Sequence, residues 1–141
     1  MSLAVDKLTL AGCSQVVVVV NKAIQFESVM NSNGARVVVN KNPDSGRTGS
    51  LKVGINSIIS DIGRIPKSII MAPVDRPGWK SSHISELIKS KNSSCLYQNG
   101  KKGHPVKLVK SDLLKIINSP DEAPLRDLVA FDNTEVSEAL L

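Results

Sequence analysis

The sequence predicts a layered α/β domain, and three observations carry that prediction. Apolar residues make up 41% of the 141 positions but aromatics only 3%, so Val, Ile and Leu must fill the core. Such a core suits a sheet covered by helices better than an aromatic-rich sandwich. Short β-branched runs alternate along the chain with longer stretches of helical apolar spacing, the order of a βαβ-type fold. The length is that of one domain able to bury a core, so residues 1–141 read as a single domain.

Met1-Ser2-Leu3 reads as a cloning leader. Residues 4–11 carry Val5, Leu8 and Ala11 on one helical face, stopped by Gly12. Residues 16–20, five valines, form a strand apolar on both faces. Ile24, Phe26, Val29 and Met30 predict a helix over 23–31, ended by Asn33-Gly34. Residues 36–39 are a second buried strand, and 40–49, with Pro43, Gly46 and Gly49, a loop. Leu51, Ile55, Ile58, Ile59 and Ile62 mark an amphipathic helix closed by Gly63. Residues 68–71 are a third buried strand. Ser82 caps a helix with Ile84, Leu87 and Ile88 on its core face. A strand at 94–97 meets a turn at Asn99-Gly100, and 106–109 forms a further short strand. Ser111 caps a helix carrying Leu113, Leu114 and Ile117, and a last helix starts at 124–129.

Charge is unevenly spread. Eighteen Lys and Arg oppose thirteen Asp and Glu, a net +5. The acidic segment 119–141 carries −5, so the body before it carries +10. A basic body suits a polyanion such as a nucleotide or phosphorylated metabolite. Lys89, Lys91, Lys110 and Lys115 read as a solvated surface. The longest apolar run is far short of a membrane span, which takes ~20 residues. Cys13 and Cys95 lie far apart without metal-ligand spacing and read as reduced thiols of a cytoplasmic protein. No GxxxxGKS, GxGxxG, CxxC, HExxH or GxSxG occurs. Too few aromatics are present to stack bases, which argues against nucleic acid as a partner.

Open parallel sheets bind ligands beyond the carboxyl ends of their strands, and three loops there stand out. Asn42-Pro43-Asp44-Ser45-Gly46-Arg47-Thr48-Gly49-Ser50 runs from strand to helix and can offer backbone N–H groups to an anion. It equally suits an ordinary turn capped by Thr48 or Ser50. Asp75, between Pro73 and Pro77, can hold a metal against phosphates or merely organise a Pro-rich turn. Asn99-Gly100-Lys101-Lys102-Gly103-His104-Pro105 reads as a mobile cationic loop suited to phosphate, or as an exposed hairpin tip. His83 reads as surface.

Taken together, in order and spacing, these pieces resemble the MobA-like nucleotidyltransferase family of molybdenum-cofactor cytidylyl- and guanylyltransferases. The residues that carry the resemblance are Gly12 with the valine run, NPDSGRTGSLKVGI, PVDRP, GKKGHPV, and the DEAPLR segment with Asp121 and Arg126. The resemblance spans nearly all of residues 4–130. It implies a Rossmann-like three-layer domain with a mainly parallel sheet, similar to nucleotide-diphospho-sugar transferases. It also implies Mg²⁺-dependent transfer of NMP from CTP or GTP to a phosphorylated acceptor such as molybdopterin. Asp75 would be the catalytic metal carboxylate, Gly46, Gly49 and Ser50 would sit beside the nucleotide, and Lys102, Gly103 and His104 would face the acceptor.

The chain departs from the family pattern at its start. The strand followed by LAAGxSxRMGxxK, whose amides, Arg and Lys cradle a triphosphate, has no counterpart; Leu10-Ala11-Gly12-Cys13-Ser14 fits better as the end of the following helix. The closing DIDTPED is not evident either, and Phe131-Asp132-Asn133-Thr134-Glu135 is given no ligand role. The expectation is therefore an N-terminally truncated fold, inactive as this chain, with a non-catalytic nucleotide- or phosphometabolite-binding protein as the alternative. Residues 16–20 and 68–71 would flank a central strand. Its absence predicts that they pair directly, that the break is covered, or that a homodimer forms there.

Overall fold

The computed structural model describes residues 2–13, 15–20, 36–40, 46–72, 79–98 and 100–135. The helix expected over 23–31 and the loop around Asp75 lie outside the described residues. In chain order the elements are helix α1 (Ser2–Leu10), strands β1 (Val17–Val20) and β2 (Arg36–Val39), helix α2 (Gly46–Ile62), strand β3 (Ser68–Met71) and helix α3 (Ser81–Ile88). Strands β4 (Ser94–Gln98) and β5 (Lys101–Val109), helices α4 (Lys110–Ile117) and α5 (Leu125–Leu128), and strand β6 (Asp132–Glu135) follow.

The larger sheet has the order β3-β5-β4-β6. Strand β5 runs antiparallel to both β3 and β4, and β6 runs parallel to β4. Three of these four strands thus share one direction and β5 opposes them. A second, parallel sheet pairs β1 with β2 in register from Val17↔Arg36 to Val20↔Val39. Among the described residues β1 and β3 do not pair with each other. Leu8 of α1, with Ala11 and Cys13 just after that helix, packs against the core around Trp79, Ile84, Leu87 and Leu96, which Ile70 and Ala72 of the β3 segment also join.

Side chains of a strand alternate faces, and here the alternation sorts them into two apolar layers. Ile69, Cys95, Val106 and Leu108 join Ile55 of α2 and Leu113 and Ile116 of α4 on one face. Ile70 and Leu96 join Ile84 and Leu87 of α3, Trp79 and the end of α1 on the other. The result is the three-layer sandwich that a valine- and isoleucine-rich core predicts. Helix α2 also covers the small sheet closely: a Cβ on Gly54 would stand 3.1 Å from Val19 Cγ2. Arg36 of β2 ties the same helix down, through Asp61 at 3.0 Å and the Ser57 carbonyl at 2.8 Å.

Several boundaries differ from the sequence expectation, each for a local reason. Helix α2 begins at Gly46, not Leu51, so the Gly46–Ser50 stretch is its first turn rather than loop. Gly46 enters it at φ +80°, a conformation that side chains resist. Helix α3 is capped at Lys80 rather than by Ser82. His83 is buried, not on the surface, because its Nδ1 accepts the Lys80 N–H at 3.0 Å and closes the helix start. Ile88 and Leu114 are exposed, while Ile116 takes the core position. Helix α4 is preceded by Val109 as its cap, not Ser111. Strand β5 runs from Lys101, so within the stretch expected to be a mobile loop residues 101–103 pair with β4. Residues 132–135 form a strand that the sequence did not flag.

Lys107 explains how β5 carries a charge into the core. It points to the α3 face, where its Nζ donates to the Ile88 carbonyl at 2.8 Å and to the Ser90 carbonyl. These carbonyls end α3, where backbone acceptors lack helical partners and the helix dipole favours a cation. Replacing Lys107 by Met removes the charged donor from both helix-end carbonyls. Urea unfolding of Lys107→Met is expected to show a loss of about 1–3 kcal/mol; an unchanged midpoint would show that water replaces the ammonium at no cost.

Candidate functional site

A cavity of about 710 Å³ opens where the first turn of α2, the early half of β5 and residues 121–126 meet. Its floor and walls include Leu51, Met71, Cys95, Val106, Leu125 and Phe131. Gly46 and Thr48 enter from α2, Lys102, Gly103 and His104 from β5, and Asp121, Glu122 and Arg126 from the segment before and into α5.

The local cause of this opening lies in Pro105. A proline has no N–H to give to a ladder. The β4–β5 register accordingly shifts there: Cys95 faces Val106, but Leu96 faces Gly103, leaving His104 and Pro105 as extra residues. A bulge of this kind bends its strand and re-aims the neighbouring side chains. Strand β3 pairs only with Val106–Val109, so the 101–105 half of β5 continues past β3 and forms the cavity's edge.

The opposite wall is fastened to α2. Thr48, buried within the first turn, donates its hydroxyl to the Ala123 carbonyl at 2.6 Å. One turn on, Lys52 donates to the Ser119 carbonyl at 2.6 Å and pairs with the Asp121 carboxylate at 2.7 Å. Across the mouth the Lys102 Nζ reaches the Phe131 carbonyl at 3.4 Å. Beneath it the Cys95 thiol, buried at the floor, contacts Asn133 Oδ1 at 3.9 Å. Burial pushes that thiol up from its ordinary pKa, and the Lys102 charge offsets part of the rise. Burial likewise raises Cys13, in the other apolar layer. Both cysteines are free.

The structure therefore brings together Gly46 from the first sequence loop with Lys102, Gly103 and His104 from the third. Gly49 and Ser50 do not line the cavity. Gly49 is buried in α2, and the Ser50 hydroxyl accepts the Asn40 Nδ2 hydrogen bond at 2.9 Å. Asp75 lies outside the described residues. Sequence reasoning named no role for Leu51, Met71, Cys95 or Phe131 in the site, because an apolar floor looks like any core residue until its neighbours are known. Glu122 was equally missed, although it sits inside the DEAPLR segment.

Whether a divalent cation fits can be asked of the described residues. Among them no three His, Cys, Asp or Glu side chains converge as metal ligands. Of the two carboxylates at the cavity, Asp121 is already committed to Lys52. The described residues alone do not form a metal site. Among them, also, no helix is long and apolar enough to cross a membrane.

Residues 1–136 match the MobA-like NTP transferase domain, so the chain belongs to that family. Two crystal structures of Rv0371c from Mycobacterium tuberculosis H37Rv share its fold. The one in complex with manganese has a TM-score of 0.73 at 16% identity, covering 95% of this chain and 74% of that one. The other has a TM-score of 0.77 at 15% identity, covering 99% and 76%. These bear out the expected α/β architecture. Comparison with curated proteins gives no match.

The fastening of the 119–126 wall is open to test. In a Cys13→Ser background, Lys52→Met is expected to cost about 1 kcal/mol, given that Asp121 is half exposed. It should also speed maleimide labelling of Cys95 severalfold, because a loosened wall would open the cavity whose floor the thiol lines. An unchanged labelling rate would mean that Lys52 does not hold the wall.

Proposed function

We propose that this member of the MobA-like NTP transferase domain family binds a nucleotide and a phosphorylated acceptor in the cavity between α2 and β5. The reading supported best is nucleotidyl transfer: NMP passes from CTP or GTP to a phosphorylated small molecule, with molybdopterin the acceptor suggested by the resemblance. One observation carries it. Gly46 and Thr48 face Lys102, Gly103 and His104 across one cavity, although 54 residues or more separate them in sequence. Two weak motifs far apart in the chain thus become one site.

In such a reaction an acceptor phosphate oxygen attacks the α-phosphorus in line, the bond to the bridging oxygen breaks, and pyrophosphate leaves. This chain's contribution would be positioning and charge. The first turn of α2 offers N–H groups lacking helical partners on the nucleotide side. Lys102, with Gly103 allowing close approach and His104 beside it, would face the acceptor. Gly49 and Ser50 would act on the nucleotide through the helix turn they build. Asp75 would be the metal carboxylate, and manganese in one Rv0371c crystal is in keeping with a divalent cation. Mg²⁺ is the ion the resemblance implies. A soluble, cytoplasmic setting belongs to the same reading.

The 141 residues contain no RMGxxK element to grip a triphosphate. Assayed alone, the chain is expected to bind CTP or GTP only in the millimolar range and to release no pyrophosphate above background. Robust release would overturn the expected inactivity. Failure of either nucleotide to register in calorimetry at the highest soluble concentration would overturn the nucleotide-site reading itself.

A homodimer belongs to this proposal as well. Among the described residues β1 and β3 each pair with one strand, and an uncovered strand edge invites another chain. Light scattering should report twice the monomer mass; a monomer at every concentration tested would remove the dimer.

A further inference from the structure

The acceptor's chemistry can be read from which groups in the cavity are already engaged. Most polar side chains of the lining have partners within the protein. The Thr48 hydroxyl serves Ala123, the Asp121 carboxylate serves Lys52, the Cys95 thiol serves Asn133, and His104 is engaged too. The floor that remains is aliphatic and aromatic: Leu51, Met71, Val106, Leu125 and Phe131. At the rim stand two cations. The Arg126 side chain is exposed and makes no ion pair or hydrogen bond among the described residues, and Lys102 has only the long 3.4 Å contact to Phe131. Glu122, exposed at the same rim, is the one opposing charge not already neutralised by an ion pair among the described lining residues.

We propose that this cavity takes a phosphomonoester with an apolar body, its phosphate held at the rim by Lys102 and Arg126 and its body laid on the aliphatic floor. The inference rests on the functional reading above only in making that phosphate the attacking group; the binding itself stands on the cavity. About 710 Å³ accommodates such a molecule, because ligand cavities run to roughly 300–1,000 Å³. Arg126 contributes a planar fork suited to two phosphate oxygens, and Lys102 a point charge. A ligand body rich in hydroxyls would give up its water for a floor with few free hydrogen-bonding groups, and unmatched polar groups are costly to bury. The site should therefore reject sugar phosphates and favour flat or aliphatic phosphate esters.

Calorimetry on the whole 141-residue chain tests this with three probes: 1-naphthyl phosphate, glucose 1-phosphate and inorganic phosphate. Naphthyl phosphate is expected to bind at least about tenfold more tightly than glucose 1-phosphate, with inorganic phosphate weaker still. Arg126→Gln and Lys102→Gln should each weaken it by roughly three- to tenfold, and Glu122→Gln should strengthen it, with all effects shrinking in high salt. All three side chains are exposed, so unchanged melting curves will confirm that the variants fold. Naphthyl phosphate should also shift the Met71 methyl resonance, which places its body on the floor. Equal affinity for the sugar phosphate, indifference to Arg126→Gln, or a still Met71 methyl would each overturn the proposal. Naphthyl phosphate binding without any CTP or GTP binding would uphold this site and sink the nucleotidyl-transfer reading. Nucleotide binding without the naphthyl preference would do the reverse.

Discussion

Strand β5 must satisfy two edges and two faces at once, and the rest of the molecule is arranged around that demand. Its residues 106–109 pair with β3, and its residues 101–103 and 106–107 pair with β4. Val106 and Leu108 feed one apolar layer. Lys107, between them, has to face the other, where it is buried. It is tolerated because α3 ends there and presents carbonyls that need donors. The position of α3 and the charge on β5 thus solve each other's problem: a buried cation without acceptors would be costly, and the last carbonyls of a helix lack partners of their own.

The same strand makes the site by ceasing to be regular. A continuous β5 would carry the three-layer packing to its end. Pro105 interrupts the ladder, the register slips, and the residues before it run on beyond β3, pairing among the described residues with β4 alone. The cavity's far wall is not part of the sheet at all. It is the 119–126 segment, bonded to Thr48 and Lys52 in the first two turns of α2. Helix α2 is in turn fixed to the small sheet by Arg36 and by the close contact at Gly54. The wall's position therefore follows the small sheet, while the cavity's edge follows the large one. Relative movement of the two sheets would change the cavity's width.

Charge at the site is sorted by this fastening. Six acids in the last 23 residues lend the C-terminal segment a strongly negative balance, which alone would repel a phosphate. Lys52 neutralises Asp121 in the wall. Asp132 turns outward on β6, toward Asn92 at 3.1 Å. What reaches the mouth is Lys102 and Arg126 against Glu122, a local balance opposite in sign to the segment that supplies most of it. Net charge counted along the sequence could not have revealed this inversion, because it depends on which charges are paired.

By itself, the sequence determined the layered α/β class, because β-branched runs and helical spacings have periods that survive without knowledge of neighbours. Strands at 36–39 and 68–71 are where the pattern puts them. The motif order also pointed to the family, and Gly46 and His104 to its cavity. Tertiary structure alone decided three other things. Residues 101–105 look like a loop because Gly, Lys and Pro are poor strand formers, yet β4 offers residues 101–103 a ladder that overrides propensity. Residues 132–135 are too polar to read as a strand, but the edge of β4 pairs them through the backbone, which is blind to side chains. His83 and Ile88 exchanged their expected surroundings, since a histidine that accepts a helix-starting N–H can be buried and a helix's last residue need not face the core. The floor of the cavity was invisible for the most general reason: an apolar residue in a core and one lining a ligand site obey the same pattern, and only the space beside them tells the two apart.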